Sequence, residues 1–129
     1  MNIFIVNQNP NSIYDDVDGE RYQYPTSIPC GKQININDYL IFNYSKKSSI
    51  KLGFGDKRIF GIAKIKDITY YTEGKKEMAI ATYLFYKKFK NNLSFSEIGG
   101  DPRININNAM NRISEDRIKQ LLLSIIQAL

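Results

Sequence analysis

Two long apolar stretches joined by a tight turn constrain the fold of this chain more than any other feature. Residues 59–68 alternate along most of their length between apolar and polar side chains, which is typical of a strand, and Gly61 within them predicts a bulge or a barrel corner. The run continues to a turn at Glu73-Gly74-Lys75. A second strand, rich in Ala, Ile, Thr, Tyr and Phe, is predicted from Glu77 to Lys90. We therefore expect a long hairpin within a sheet-rich fold.

Shorter elements surround this hairpin. Residues 39–44 predict a strand that is partly apolar on both faces, which suits a barrel strand or one covered by a helix. Its predicted faces are Leu40, Phe42 and Tyr44 on one side and Tyr39, Ile41 and Asn43 on the other. The other predicted elements are strands at 2–6, 20–24 and 95–98, a helical turn within 105–111, and an amphipathic C-terminal helix capped by Ser114.

Composition limits the chemistry that the chain can perform. Its 129 residues suit one domain, 1–129, and a hydrophobic content of 43% supplies a core. Cys30 is the single cysteine and histidine is absent, so an internal disulfide, a zinc site, a Ser-His-Asp triad and a Cys-His pair are excluded. We predict no catalytic residue, no metal and no cofactor, and a binding function rather than a reaction.

The two ends of the chain suggest a cellular context. The apolar run at Met1–Asn7 is short and lacks a basic leader, so it predicts a first strand and not a signal peptide. No uncharged apolar run approaches the ~20 residues of a membrane span, and we expect a cytoplasmic protein with no membrane partner. The last helix runs to Leu129, which favours a module of a longer protein.

Positive charge is concentrated in the middle of the chain. The net charge is +5; residues 43–90 carry twelve basic and four acidic side chains, whereas residues 1–42 carry two and five. Such segregation predicts a basic face, for which a polyanion is the usual partner, although a lysine-rich solvated surface has the same composition. The run Tyr86–Lys90 interleaves rings with cations, a mixture that suits nucleic acid and equally an amphipathic strand.

The order of motifs is informative. Gly19-Glu20-Arg21-Tyr22-Gln23-Tyr24-Pro25 places two tyrosines on one side of an extended segment that a proline ends. The aromatic strand 39–44 follows, then Phe60-Gly61-Ile62-Ala63-Lys64-Ile65, a long apolar strand, and Arg112-Ile113-Ser114 before the last helix. In these features the chain resembles the EVE-like branch of the PUA superfamily, and in particular the N-terminal modules of modification-dependent restriction systems.

This resemblance implies a fold and a function. The fold would be an α+β, PUA-like (EVE/SRA/YTH-related) bent β-barrel with peripheral helices and a C-terminal capping helix. The module would bind double-stranded DNA and flip a modified base into an aromatic pocket, ahead of an HNH nuclease or McrB-type motor domain that acts as the effector. A flipped base loses a few kcal/mol of stacking and pairing, of which aromatic stacking restores about 1–3 kcal/mol.

Site residues follow partly from the resemblance and partly from local charge. The pocket rings implied are Tyr22, Tyr24, Phe42 and Tyr44, with Asn43, Ser45 and Asp67 as hydrogen-bonding partners of the base. Local charge alone nominates Lys46, Lys47, Lys51, Lys57 and Arg58 as phosphate-binding residues. Methyl-base cages in this superfamily often use tryptophan, which this chain lacks. The resemblance therefore leaves open a pocket of tyrosine and phenylalanine rings or a site for a modification bulkier than a methyl group.

Two other functions stay open at the level of sequence. A PUA-like domain of this kind could bind RNA instead of DNA. A nuclease that holds magnesium through Asp15, Asp16, Asp18 and Glu20 is the weaker alternative, because acidic residues clustered in a turn more often cap and solvate it.

Overall fold

A computed structural model describes residues 2–8, 21–44, 58–94, 110–113 and 116–128. Within these ranges the chain forms six strands and one helix. They are β1 (Ile3–Gln8), β2 (Arg21–Pro25), β3 (Tyr39–Tyr44), β4 (Arg58–Glu73), β5 (Lys76–Ser94), β6 (Met110–Arg112) and α1 (Asp116–Ala128).

The six strands form a single sheet in the order β2-β5-β4-β3-β1-β6. β1 and β3 run parallel, and the other neighbouring strands pair antiparallel. The sheet curls into a half-barrel with α1 on one side, an arrangement compatible with a bent β-barrel. Pro25 ends β2 at the edge of the sheet, where a missing backbone N–H is tolerated, as the sequence predicted.

The predicted hairpin is the longest feature of the sheet. β4 and β5 contain 16 and 19 residues and meet at a turn where Gly74 has a φ of 62°. The pairing register shifts near Ile59–Gly61 and again between Lys64 and Asp67. The extra residues at these two positions along the hairpin form bulges, which bend the strands. This confirms the predicted irregularity at Gly61. A Cβ at Gly61 would lie 3.1 Å from the Lys87 carbonyl oxygen, so the close approach favours glycine.

Curling divides the apolar residues into two cores. On the concave side, called the inner face, Phe4, Leu40 and Phe42 pack with β2 and β5 beneath the segment that carries Ile34. On the other side, called the helix face, isoleucines of β1, β3 and β4, together with Ile113 just after β6, pack against Leu122 of α1. The predicted two faces of β3 are confirmed, because Leu40 and Phe42 lie on the inner face while Tyr39 and Ile41 lie on the helix face.

A buried carboxylate joins three parts of the sheet. Asp38 is 3% exposed; its Oδ1 accepts a hydrogen bond from the Asn2 backbone N–H and its Oδ2 accepts one from that of Asn35, each at 2.8 Å. The Asp38 carbonyl accepts from Ile65 N–H, and Asn37, with a φ of 70°, donates its backbone N–H to the Ile65 carbonyl. Asp38 therefore fixes the start of β1 and the entry to β3 against β4.

The helical turn predicted within 105–111 does not extend to its last two residues. Met110 and Asn111 belong to β6 and pair with Val6 and Ile5 of β1, while 105–109 lie outside the described residues. A short polar segment has no strong local preference, and a strand 100 residues earlier in the chain supplies its backbone partners. The predicted strand at 95–98 and the predicted cap Ser114 lie outside the described residues. Among the described residues no helix is long and apolar enough to cross a membrane.

We predict that Asp38→Ala lowers the free energy of unfolding by about 1–3 kcal/mol, because the N–H groups of Asn2 and Asn35 lose their buried, charged acceptor. Urea denaturation measures the change. Asp67→Ala is the matched control: Asp67 is exposed on β4, and we expect it to change stability by less than about 0.5 kcal/mol. Equal losses for the two variants would contradict the role given to Asp38.

Candidate functional site

The bend between Lys64 and Asp67 divides the hairpin into two parts of different charge. Residues 58–66 and 83–94, here called the basic half, contain six basic and no acidic residues. Residues 67–82, here called the tip half, contain two basic and three acidic residues. Positive charge on this hairpin therefore lies on the part beside β3.

Four lysines of the basic half have described side chains. Lys66, Lys87 and Lys88 are exposed, and Lys64 is partly buried with its Nζ 5.5 Å from the centre of the Tyr39 ring. A cation above a ring face is attracted to it, so Tyr39 holds Lys64 while its charge stays near the surface. The basic half thus presents exposed ammonium groups with no carboxylate within its own two strand segments.

The tip half is balanced by pairing as well as by composition. Lys32 forms a 2.9 Å ion pair with Glu77, and the Thr26 hydroxyl donates a second hydrogen bond to Glu77. The hydrogen bond from Lys32 lowers the pKa of Glu77, and the same bond raises the pKa of Lys32. Both side chains are well exposed, so the pair adds little stability, but it removes a free positive charge from this end.

Rings gather on the inner face beside the basic half. Tyr44 stacks on Phe60 with ring centroids 4.2 Å apart, and Tyr83 lies parallel to Tyr86 at 6.1 Å. Phe42 lies between these pairs, 5.9 Å from Phe60 and 5.6 Å from Tyr86. These five residues are here called the aromatic cluster. Tyr44, Tyr83 and Tyr86 are partly exposed, whereas Phe42 and Phe60 are buried.

The four predicted pocket rings all reach the inner face. Tyr22 and Tyr24 stack on each other at 5.2 Å and share one core with Phe42, and all three are at most 6% exposed. A base could touch these three rings only if the core opened. Tyr44 packs against the same core but keeps part of its surface in solvent. A base pocket lined by these four rings stays a prediction. Among the four, Tyr44 is the one that a base could reach from solvent.

The predicted polar partners of the base are dispersed. Asn43 is fully buried on the helix face, opposite the rings, and its Nδ2 donates to Asn7 Oδ1 at 2.8 Å. Asp67 is exposed in the tip half. Ser45, Lys46, Lys47, Lys51 and Lys57 lie outside the described residues, as do Asp15, Asp16, Asp18 and Glu20; for Arg58 only the backbone is described, at the start of β4.

Several residues of this site are not among the predicted site residues. Lys64, Lys66 and Tyr83 lie within predicted strands, and the run Tyr86–Lys90 suits both nucleic acid and an amphipathic strand. The signal available was the absence of acidic residues from both segments of the basic half. It became meaningful only once the hairpin register placed the two segments side by side.

No family model, no curated protein and no solved structure matches this chain. Among the described residues no three acidic or cysteine side chains gather into a group that could hold a metal ion. The interpretation of the site therefore depends on its own charge and ring geometry.

The hydroxyl of Tyr24 is buried without a hydrogen-bond partner among the described residues. Burial, and to a smaller extent the charge of Tyr70, raises the pKa of Tyr24 above its ordinary value of 10.0. The folded state therefore keeps the proton where the unfolded chain releases it. Stability falls as the pH rises above about 10, because the unfolded state then binds fewer protons.

We predict that Tyr24→Phe is at least as stable as the wild type at pH 7 and loses less stability above pH of about 10, as measured by urea denaturation across pH. Tyr70→Phe removes an exposed hydroxyl and should retain most of the alkaline loss, since burial is the larger cause. A Tyr24→Phe curve that parallels the wild type would show that this hydroxyl does not titrate as inferred.

Proposed function

We propose that this chain is a nucleic-acid-binding module that holds the phosphates of duplex DNA on the basic half of its hairpin. The segregation of charge carries the proposal: six basic residues without an acidic one occupy two adjacent strand segments, while the tip half of the same hairpin is balanced. A solvated lysine surface has no need of such segregation, whereas a polyanion favours it.

The aromatic cluster suits contact with a base next to those phosphates. Tyr44, Tyr83 and Tyr86 combine a partly exposed ring with firm packing against buried neighbours. A ring already fixed by packing loses little entropy when a base stacks on it, and such stacking contributes about 1–3 kcal/mol per base. In this proposal an extruded, modified base rests against the exposed edge of the cluster.

A PUA-like identity for the half-barrel is the finer part of the proposal. A curled sheet with a helix on its outer side and rings on its inner side is compatible with it. In that setting the chain is the specificity module of a restriction system, and a nuclease or a motor domain, in the same chain or in a complex, acts on the DNA that this module has bound.

We predict that Lys87→Ala/Lys88→Ala weakens binding to every duplex and reduces the slope of log affinity against log salt by about 1.8, because two phosphate contacts are lost. Fluorescence anisotropy over a salt series measures both. Lys75→Ala/Lys76→Ala is the matched control, with the same charge change on exposed lysines of the tip half. Equal effects of the two double variants would show that binding responds to net charge and not to the basic half.

We predict that Tyr44→Leu weakens binding to the preferred modified duplex by about tenfold, since stacking on one base is worth about 1–3 kcal/mol, while unmodified duplex binding changes little. The probes are duplexes with a central cytosine, 5-methylcytosine, 5-hydroxymethylcytosine, adenine or N6-methyladenine. Tyr70→Leu removes an exposed ring of the tip half and serves as control. Tighter binding of single-stranded or structured RNA than of every duplex would replace DNA by RNA as the partner.

A further inference from the structure

Two adjacent apolar side chains project from the basic half. Leu84 is 54% exposed and Phe85 is 40% exposed. The register explains their exposure: Lys64 pairs with Phe85 and Ile65 with Tyr83, so Leu84 is an extra residue with no opposite partner on β4. Such a bulge interrupts the alternation of the strand and directs side chains away from the packed faces.

Cations surround this pair. Lys64 lies directly across from Phe85, where paired side chains are about 5 Å apart, and Lys87 is two residues along the same strand, about 7 Å away. Exposed Lys66 is the extra residue of the neighbouring bulge on β4. Phe85 also contacts the Tyr39 ring, with centroids 6.3 Å apart, so its position is fixed before any partner arrives.

This combination selects among the possible occupants of the surface. A second copy of the chain would bring Lys64, Lys66 and Lys87 against the same lysines, and like charges repel at close range. Binding to a membrane would bury only one leucine and one phenylalanine, which is a small apolar surface for that purpose. Duplex DNA presents phosphates along both edges of each groove and stacked bases between them. The phosphates suit the lysines, and the bases suit the apolar pair.

We propose that Leu84 and Phe85 form a wedge that enters the base stack of a bound duplex and kinks it, with the lysines of the basic half on the flanking phosphates. The proposal rests on the proposed DNA binding and adds a deformation of the DNA to it. Leucine and phenylalanine are among the side chains that proteins insert between base steps, where they unstack the step and bend the helix. An opened step also lowers the cost of extruding a neighbouring base.

The test separates binding from bending. The probe is a short duplex with a donor and an acceptor dye at its ends and 2-aminopurine at its centre, scanned over several central sequences. With wild-type protein we expect increased energy transfer, from bending, and increased 2-aminopurine fluorescence, from unstacking. With Leu84→Ala/Phe85→Ala we expect both signals to fall to the level of free DNA. We also expect binding to weaken by about tenfold, while the slope of log affinity against log salt stays unchanged.

Two further variants make the outcome decisive. Leu84→Met/Phe85→Leu keeps an apolar pair and should keep both signals, whereas Tyr70→Ala removes another large exposed side chain, in the tip half, and should change nothing. Bending by Leu84→Ala/Phe85→Ala equal to that of wild type would overturn the wedge, as would wild-type binding without bending. A stronger effect of this variant on single-stranded DNA than on duplex would overturn it in favour of simple stacking. Absence of any salt-dependent duplex binding by wild type would instead reject the proposed function itself.

Discussion

The bend of the β4–β5 hairpin is the constraint on which the rest of the structure depends. Strands of 16 and 19 residues are much longer than typical strands, and a flat pair of that length could not enclose a core. The register shifts at two levels turn the sheet onto itself, so that Tyr22 and Tyr24 of an edge strand reach the core that contains Phe4 and Phe42. The same bend separates the basic half from the tip half.

Burial energetics decide which rings can serve recognition. Full burial of a large side chain contributes about 1.5–3 kcal/mol, so the core that holds Tyr22, Tyr24 and Phe42 would lose roughly 5 kcal/mol or more if those rings separated. Stacking on one base returns about 1–3 kcal/mol and must also offset the loss of that base from the duplex. The balance favours rings that are anchored by packing yet partly exposed, which describes Tyr44, Tyr83 and Tyr86.

Much of the fold could be predicted from the sequence, and the site could be predicted only in part. Periodicity located the hairpin, the two faces of β3 and the last helix, because these depend on neighbours two to four residues apart. It missed β6, whose partner lies on β1. The resemblance, not periodicity, made Asn43 a candidate reader of the base with Tyr44, whereas alternation along β3 directs the buried amide to the opposite face, where it bonds Asn7.

Exposure could not be read from the sequence either, because bulges change which side of a strand faces solvent. If side chains alternated strictly between the two faces of the strand, one of Leu84 and Phe85 would be buried. Because Leu84 has no opposite partner at the bulge, both side chains are exposed. An exposed apolar pair on an edge is ordinarily a liability for aggregation, and lysines are the usual protection. In the proposed complex, the lysines that discourage self-association are also the groups that bind phosphates. The same arrangement of charge would then protect the apolar pair in the free protein and bring it to the bases of DNA, which is why we propose the two features as one site.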